Sequence, residues 1–274
     1  MKNTVLVTGA TDGIGRRTAL DILRAGHKVI VHGRSEVRIQ RAIDGIISAS
    51  KLSDLEGIQA DFTSLSQVKK MADEIIERFP TLNGIVNNAG VYMNTKKLTE
   101  DGFEMSLAVN HLAPFALTLK LLPLLKANAP SRIINVSSVA HSRGKLNFSN
   151  LNAEKSFDGY EAYSLSKLAN VLFTKELSKR LTGSGITVNA LHPGVITTKL
   201  LKTGFGMSGG SLSEGAETSV YLATSDEVKD ISGEYFNKKQ ITQPSPIADD
   251  EESLTKFWEA SEEMTGVRFG ELLF

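Results

Sequence analysis

Cysteine is absent from the 274 residues, which excludes disulfides, thiol nucleophiles and thiolate metal sites. Histidine is sparse. His27, His32, His111, His141 and His192 are scattered and none forms a His-Glu-x-x-His pattern, so no metal site is expected. Net charge is missing as well: Lys+Arg and Asp+Glu both number 31, whereas a nucleic-acid binder is expected to carry a basic patch or a high pI. A nucleic-acid partner is not expected. No segment supplies about 18 consecutive apolar residues, and the first apolar run, Thr4-Val5-Leu6-Val7, is too short for a signal-peptide core. The expectation is a soluble, intracellular, cytoplasmic protein with no membrane span. Repeats and low-complexity tracts are also lacking, and the turn-rich stretches at 203–211 and 242–250 do not divide the chain into two cores.

What is present reads as one α/β domain over residues 1–274. Hydrophobic residues at 41% and charged residues at 23% are ordinary for a globular protein, and the length suits a single large core. Asn3–Thr8 is a β-like run followed at once by Gly9-Ala10-Thr11-Asp12-Gly13-Ile14-Gly15, and helical periodicity takes over from Arg16. A strand, a glycine loop and a helix start form the geometry in which backbone N–H groups and the helix dipole hold a pyrophosphate. Lys28–His32 is the second strand and closes on Gly33-Arg34. An acidic residue there would suit the ribose 2′-hydroxyl of NAD, while Arg34, with Arg16 or Arg17 nearby, suits the 2′-phosphate of NADP. Asp12 cuts the other way, because a carboxylate beside a 2′-phosphate repels it. NADP(H) is favoured, with NAD(H) as the alternative.

Residues 35–50 and 64–79 read as helices, and between them Leu55–Ala60 is a strand ending in Asp61. Gly84–Val86 begins a fourth strand that runs into Asn87-Asn88-Ala89-Gly90, where short side chains let backbone approach a cofactor. Asp101 to about Asn128 is a long helical pattern with Asn110 amid Leu107, Val109 and Leu112, an amide that needs a partner. Arg132–Val136 is a strand ending at Ser137-Ser138; without a Gly-x-Ser-x-Gly elbow, a serine there suits a hydrogen bond to a substrate oxygen better than nucleophilic attack. Ile186–Leu191 is a sixth strand, and Pro193-Gly194 turn the chain where they can close over a nicotinamide. Strands alternating with helices imply a doubly wound, Rossmann-type parallel sheet of about seven strands, the last near Gly233–Asn237, with helices on both faces.

Tyr163 and Lys167 stand four apart on a helical pattern, so phenol and ammonium lie on one face. A cation held near a phenol favours the phenolate and moves its pKa down from about 10 towards a useful value. Downstream, four glycines between Thr203 and Gly210 argue against a stable helix, while Phe205 and Met207 among them suit a lid over an apolar substrate.

Taken together, Thr8-Gly9-x-x-x-Gly13-Ile14-Gly15, Asn87-Asn88-Ala89-Gly90, Asn110, Ser138, Tyr163-x-x-x-Lys167 and Pro193-Gly194 resemble the short-chain dehydrogenase/reductase family in order and interval. Thr99–Glu104, Val109-Asn110-His111-Leu112, Ser166–Phe173 and Leu191–Val195 resemble its retinol dehydrogenase and WW-domain oxidoreductase subgroup, although Ala113-Pro114 stand where that subgroup often has Gly-His. The resemblance implies a catalytic set of Asn110, Ser138, Tyr163 and Lys167. Ser138 would polarise the carbonyl, Tyr163 would exchange the hydroxyl proton, Lys167 would lower the phenol pKa and bind the nicotinamide ribose, and Asn110 would hold a relay water. Cofactor contacts would come from Gly9, Thr11, Asp12, Gly13, Ile14, Gly15, Arg34, Asp61, Asn88, Ala89, Gly90, Tyr163, Lys167, Pro193 and Gly194. The implied activity is interconversion of an apolar alcohol and its aldehyde or ketone. A catalytically silent NADP-binding regulatory or scaffold protein is the competing reading. By the same analogy, the helices carrying Asn110 and Tyr163 could pair subunits in a homo-oligomer.

Overall fold

The computed structural model describes residues 2–271. Among them, eight strands form one sheet in the order β3-β2-β1-β4-β5-β6-β7-β8. The first six strands are β1 (Thr4–Val7), β2 (Lys28–Gly33), β3 (Leu55–Gln59), β4 (Leu82–Asn87), β5 (Ser131–Val136) and β6 (Ile186–His192). They pair in parallel, as does β7 (Tyr235–Asn237) on β6. The sequence pattern implies about seven strands. The eighth, β8 (Gln240–Ile241), is an antiparallel hairpin strand of two exposed residues, too short and too polar to show a strand period.

Side-chain alternation splits each central strand between two cores. Leu6, Ile30 and Ile58 face α3 (Leu65–Arg78), while Val5, Val7, Val29 and Val31 face α1 (Gly13–Arg24) and α2 (Glu36–Ser50). The chain runs outward from β1 through β2 to β3, then returns to β4 on the other side of β1. That reversal opens a crevice beyond the carboxyl ends of β1 and β4, the place where open α/β sheets receive ligands.

The long pattern expected from Asp101 begins later, as α4 (Met105–Ala127), and its second turn is a π turn at Ala108–Leu112. Pro114 explains the widening: its ring would strike the carbonyl of Asn110, four residues back, and it has no N–H to give that carbonyl. By length and composition α4 could cross a membrane, but 83% of its apolar window is buried inside the fold. The next helix, α5 (Gly159–Arg180), is capped by Asp158, which accepts the Glu161 N–H. A further helix of the same chain covers the apolar faces of α4 and α5 around His111, Phe115 and Phe173. The helix Glu251–Thr265 lays Phe257 and Trp258 there, with Trp258 5.0 Å from the Phe115 ring, and Ser261 Oγ meets His111 Nε2 at 2.9 Å.

Candidate active site

The loops after β1 and β4 are stitched together by Thr8. Its hydroxyl accepts the Asn88 and Ala89 N–H groups at 2.9 and 3.0 Å, and the Asn88 amide donates to the Thr8 carbonyl at 2.8 Å. A Cβ at Gly9 (φ +63°) would press the Ala89 backbone at 2.9 Å, and one at Gly15 would strike the Asn88 amide. Those two glycines and Asn88 therefore serve the packing of the cradle itself. Gly13 (φ +56°) is different: its nearest neighbour, the Thr198 methyl, is 3.8 Å away, so the start of α1 is open. The first-turn N–H groups of Ile14 and Gly15 have no acceptor within a helix. An open, uncapped pair of donors at a helix start fits a pyrophosphate.

Around this cradle the charges fall differently from expectation. Arg17 is bound to Asp21 at 2.6 Å, and Arg16 lies over Gly45 of α2, so neither faces the cradle mouth. Arg34 is exposed at the end of β2. Arg38, which the sequence reading missed, reaches within 4.0 Å of Asp12. Its signal was the first turn of α2, which brings a residue four beyond Arg34 back to the same edge. Asp12 caps α1 through the Gly13 N–H at 2.8 Å and pairs with Lys199 at 2.5 Å. Lys199, then burial in the opposite sense, then the Gly13 N–H set its pKa, which is held below the usual carboxylate range. The repulsive carboxylate is thus already neutralised by a cation. Asp61 turns inward onto Thr63, whose N–H and hydroxyl it accepts at 3.0 and 2.9 Å. Gly33 lies tight against the Thr11 side chain, which seats Thr11 at the end of β2.

Ser138, Tyr163 and Lys167 converge at the ends of β5 and the start of α5. Lys167 is buried, donates to the Val136 carbonyl at 3.0 Å, and lies 5.7 Å from the Tyr163 ring centre. Gly90 is within van der Waals reach of both Lys167 and Asn110: a Cβ there would lie 3.4 and 3.3 Å from them. Ser137 is structural, its hydroxyl donating to the Lys167 carbonyl at 2.7 Å, which leaves Ser138 as the serine at the site. The expected depression of the phenol pKa is not found. Burial pushes Tyr163 up to about 12, the Ser138 hydroxyl opposing it, and burial brings Lys167 down to about 8. Desolvation outweighs the ammonium because Lys167 is itself spent on a carbonyl and stands a ring-width away.

Asn110 finds the partners that an amide in apolar surroundings needs. Its Oδ1 accepts the Val91 N–H at 2.7 Å, and its Nδ2 donates to the Val91 carbonyl and to Ser166 Oγ at 2.9 Å each. These bonds tie the Asn110 amide to the loop after β4. Pro193 and the left-handed Gly194 (φ +95°) turn the chain out of β6 as expected. Beyond them a short helix, α6 (Lys199–Phe205), is capped by Thr198 and closed by left-handed Gly206; it takes in Gly204 alone of the four glycines, and residues 206–210 are not helical. Gly204 sits inside it because a Cβ there would press the Tyr92 ring at 2.7 Å, so the glycine is needed for contact, not for a turn. That contact brings Phe205 to 4.5 Å from the Tyr92 ring and 5.9 Å from the Tyr163 ring, while Met207 points away, 52% exposed. Tyr92 and Tyr160, also missed from the sequence, complete this aromatic wall.

The family model described as short chain dehydrogenase matches residues 3–208. Human retinol dehydrogenase 13 is 42% identical over 96% of this chain and 85% of its own length, and human retinol dehydrogenase 14 is 40% identical over 96% and 86%. Among solved structures, an uncharacterised protein from Mycobacterium paratuberculosis superposes with a TM-score of 0.82 at 32% identity, covering 97% of this chain and 94% of that one. The Pseudomonas aeruginosa RhlG/NADP active-site complex gives 0.71 at 26% identity, covering 85% and 93%.

Proposed function

The chain belongs to the short chain dehydrogenase family, and from that premise we propose that it is an NADP(H)-dependent oxidoreductase, built as one NAD(P)-binding domain, that interconverts an apolar alcohol and its aldehyde or ketone. The observation that carries this reading is the convergence of Ser138, Tyr163 and Lys167 beside the open N-terminus of α1. A bound nicotinamide would supply or take the hydride. Ile14 and Gly15 would receive the pyrophosphate across the open approach that Gly13 leaves, and Arg34 with Arg38 the 2′-phosphate. The Pseudomonas relative solved with NADP is in keeping with that choice. Lys167 spends one of its three donors on Val136, which leaves two for ribose hydroxyls.

Ser138 would donate to the substrate oxygen and Tyr163 would exchange its proton. A phenol held near 12 keeps its proton at neutral pH, so it suits protonation of a developing alkoxide, the reduction direction. Oxidation needs the phenolate, which the Ser138 hydroxyl and the nearby Lys167 ammonium would favour. A relay water would meet the Asn110 backbone carbonyl, which Pro114 deprives of its helical donor, and not the amide. The apolar substrate class rests on the wall of Tyr92, Tyr160 and Phe205; relatives named retinol dehydrogenases are consistent with it. Following NADPH absorbance with a panel of apolar and polar aldehydes and ketones tests the proposal. Turnover with the apolar members supports it, and cofactor binding without turnover on any of them overturns it in favour of a silent binder.

A further inference from the structure

The peptide bond joining Ser138 to Val139 is held at both polar ends by histidine rings. His141 Nδ1 donates to the Ser138 carbonyl at 2.7 Å, and the His141 backbone N–H donates to the same oxygen at 3.0 Å. On the other side the Val139 N–H donates to His192 Nδ1 at 3.2 Å. His141 lies in the short 3₁₀ turn after β5, whereas His192 ends β6, the neighbouring strand. These partners set the tautomers. His141 also accepts the Ser245 N–H on Nε2 at 3.1 Å, so its ring proton is on Nδ1; His192 accepts on Nδ1, so its ring proton is on Nε2.

A peptide plane pinned through both its C=O and its N–H cannot rotate about the flanking bonds. Ser138 itself is extended (φ −161°, ψ 157°), and its Oγ accepts the Ala140 N–H at 3.2 Å, which orients the hydroxyl while leaving its proton free to donate. We propose that His192 and His141 are positioning residues that lock the Ser138–Val139 peptide and so aim the Ser138 hydroxyl at the substrate oxygen. The proposal rests on the reading of Ser138 as that donor. His192 is the cleaner handle, since His141 also ties down the segment around Ser245.

The test compares kcat, aldehyde KM and NADPH Kd in His192→Phe, His192→Asn, Ser138→Ala and the double variant Ser138→Ala/His192→Phe. Phe keeps the ring volume without an acceptor, whereas the Asn Oδ1 occupies the covalent position of Nδ1 and can accept the Val139 N–H. His192→Phe should lower kcat by about tenfold or more with NADPH Kd little changed, and His192→Asn should recover most of it, as expected for a mis-aimed oxyanion donor. In the Ser138→Ala background, His192→Phe should add no further loss. Should the Phe variant fail to fold, His192→Gln, whose amide lies one bond further out, takes its place. Full activity without the acceptor, no recovery with Asn, or additive loss in the double variant overturns the proposal. If Ser138→Ala is itself fully active, the reading of Ser138 falls and the lock with it; if Ser138→Ala is slow but His192→Phe is not, the lock alone falls.

Discussion

The Lys167 ammonium lies 5.7 Å from the centre of the Tyr163 ring and donates to the Val136 carbonyl at 3.0 Å. Both groups are buried, and burial disfavours the charged form of each, so the lysine titrates near 8 and the phenol near 12 in the free protein. Because kcat/KM for NADPH reports the cofactor-free enzyme, it should fall as pH rises through about 8, where Lys167 loses its proton. Lys167→Met should have a lower plateau and no such limb. Persistence of the limb in that variant would assign it to another group.

Cofactor preference should depend on two arginines. Arg34→Asp and Arg38→Ala should each reduce the NADPH-over-NADH ratio of kcat/KM by about tenfold, roughly 1.4 kcal/mol, a modest demand on an ion pair to phosphate. Unchanged ratios in both variants would leave the 2′-phosphate without its assigned partners.

Phe205 and Met207 should separate. Phe205→Ser removes a ring that packs 4.5 Å from Tyr92, and should raise KM for long apolar aldehydes by about tenfold more than for short ones. Met207 is more than half exposed, so Met207→Ser should change neither. Equal losses across chain lengths for Phe205→Ser would reduce α6 to an ordinary surface element.

Acid should weaken the fold through His32, which accepts the Gly9 N–H on Nδ1 at 3.2 Å and meets the Ala60 carbonyl through Nε2 at 3.1 Å. Burial, against smaller help from Ala60 and Asp61, lowers its pKa from 6.5 to about 4. The folded pKa lies below the unfolded one, so the unfolded state binds the extra proton. The stability is present above about pH 6.5 and is lost as pH falls towards 4. Between pH 7 and 5 this one ring should contribute a loss of about 2 kcal/mol. Urea unfolding at the two pH values checks it: His32→Asn should flatten the difference, and an unchanged slope would mean that other groups set it.

The parallel sheet and the glycine loop between β1 and α1 were legible because each rests on local pattern: short apolar runs alternating with helical periods, and glycines at a βα turn. What was not legible depended on contacts distant in the chain. Gly204 reads as a helix breaker until Tyr92, more than a hundred residues earlier, is seen against it. Asn110 reads only as an amide in need of a partner until Val91 and Ser166 are seen on it. Arg38 reads as a surface residue until Asp12 is placed opposite. The phenol pKa was misjudged for the same reason, since i, i+4 spacing states that Lys167 is near but not that both groups leave water.

The central claim, hydride transfer to a carbonyl with Tyr163 as proton donor, is tested most directly by isotope. NADPH carrying deuterium on the transferring face of C4 is incubated with an apolar aldehyde, and the product alcohol is examined by mass spectrometry. The wild type should place one deuterium on the carbinol carbon. Tyr163→Phe should slow its appearance by about 10²–10⁴, as loss of a general acid does, while binding NADPH within a few fold of the wild type. Alcohol formed without deuterium, or Tyr163→Phe keeping more than about a tenth of the wild-type rate, would contradict the account.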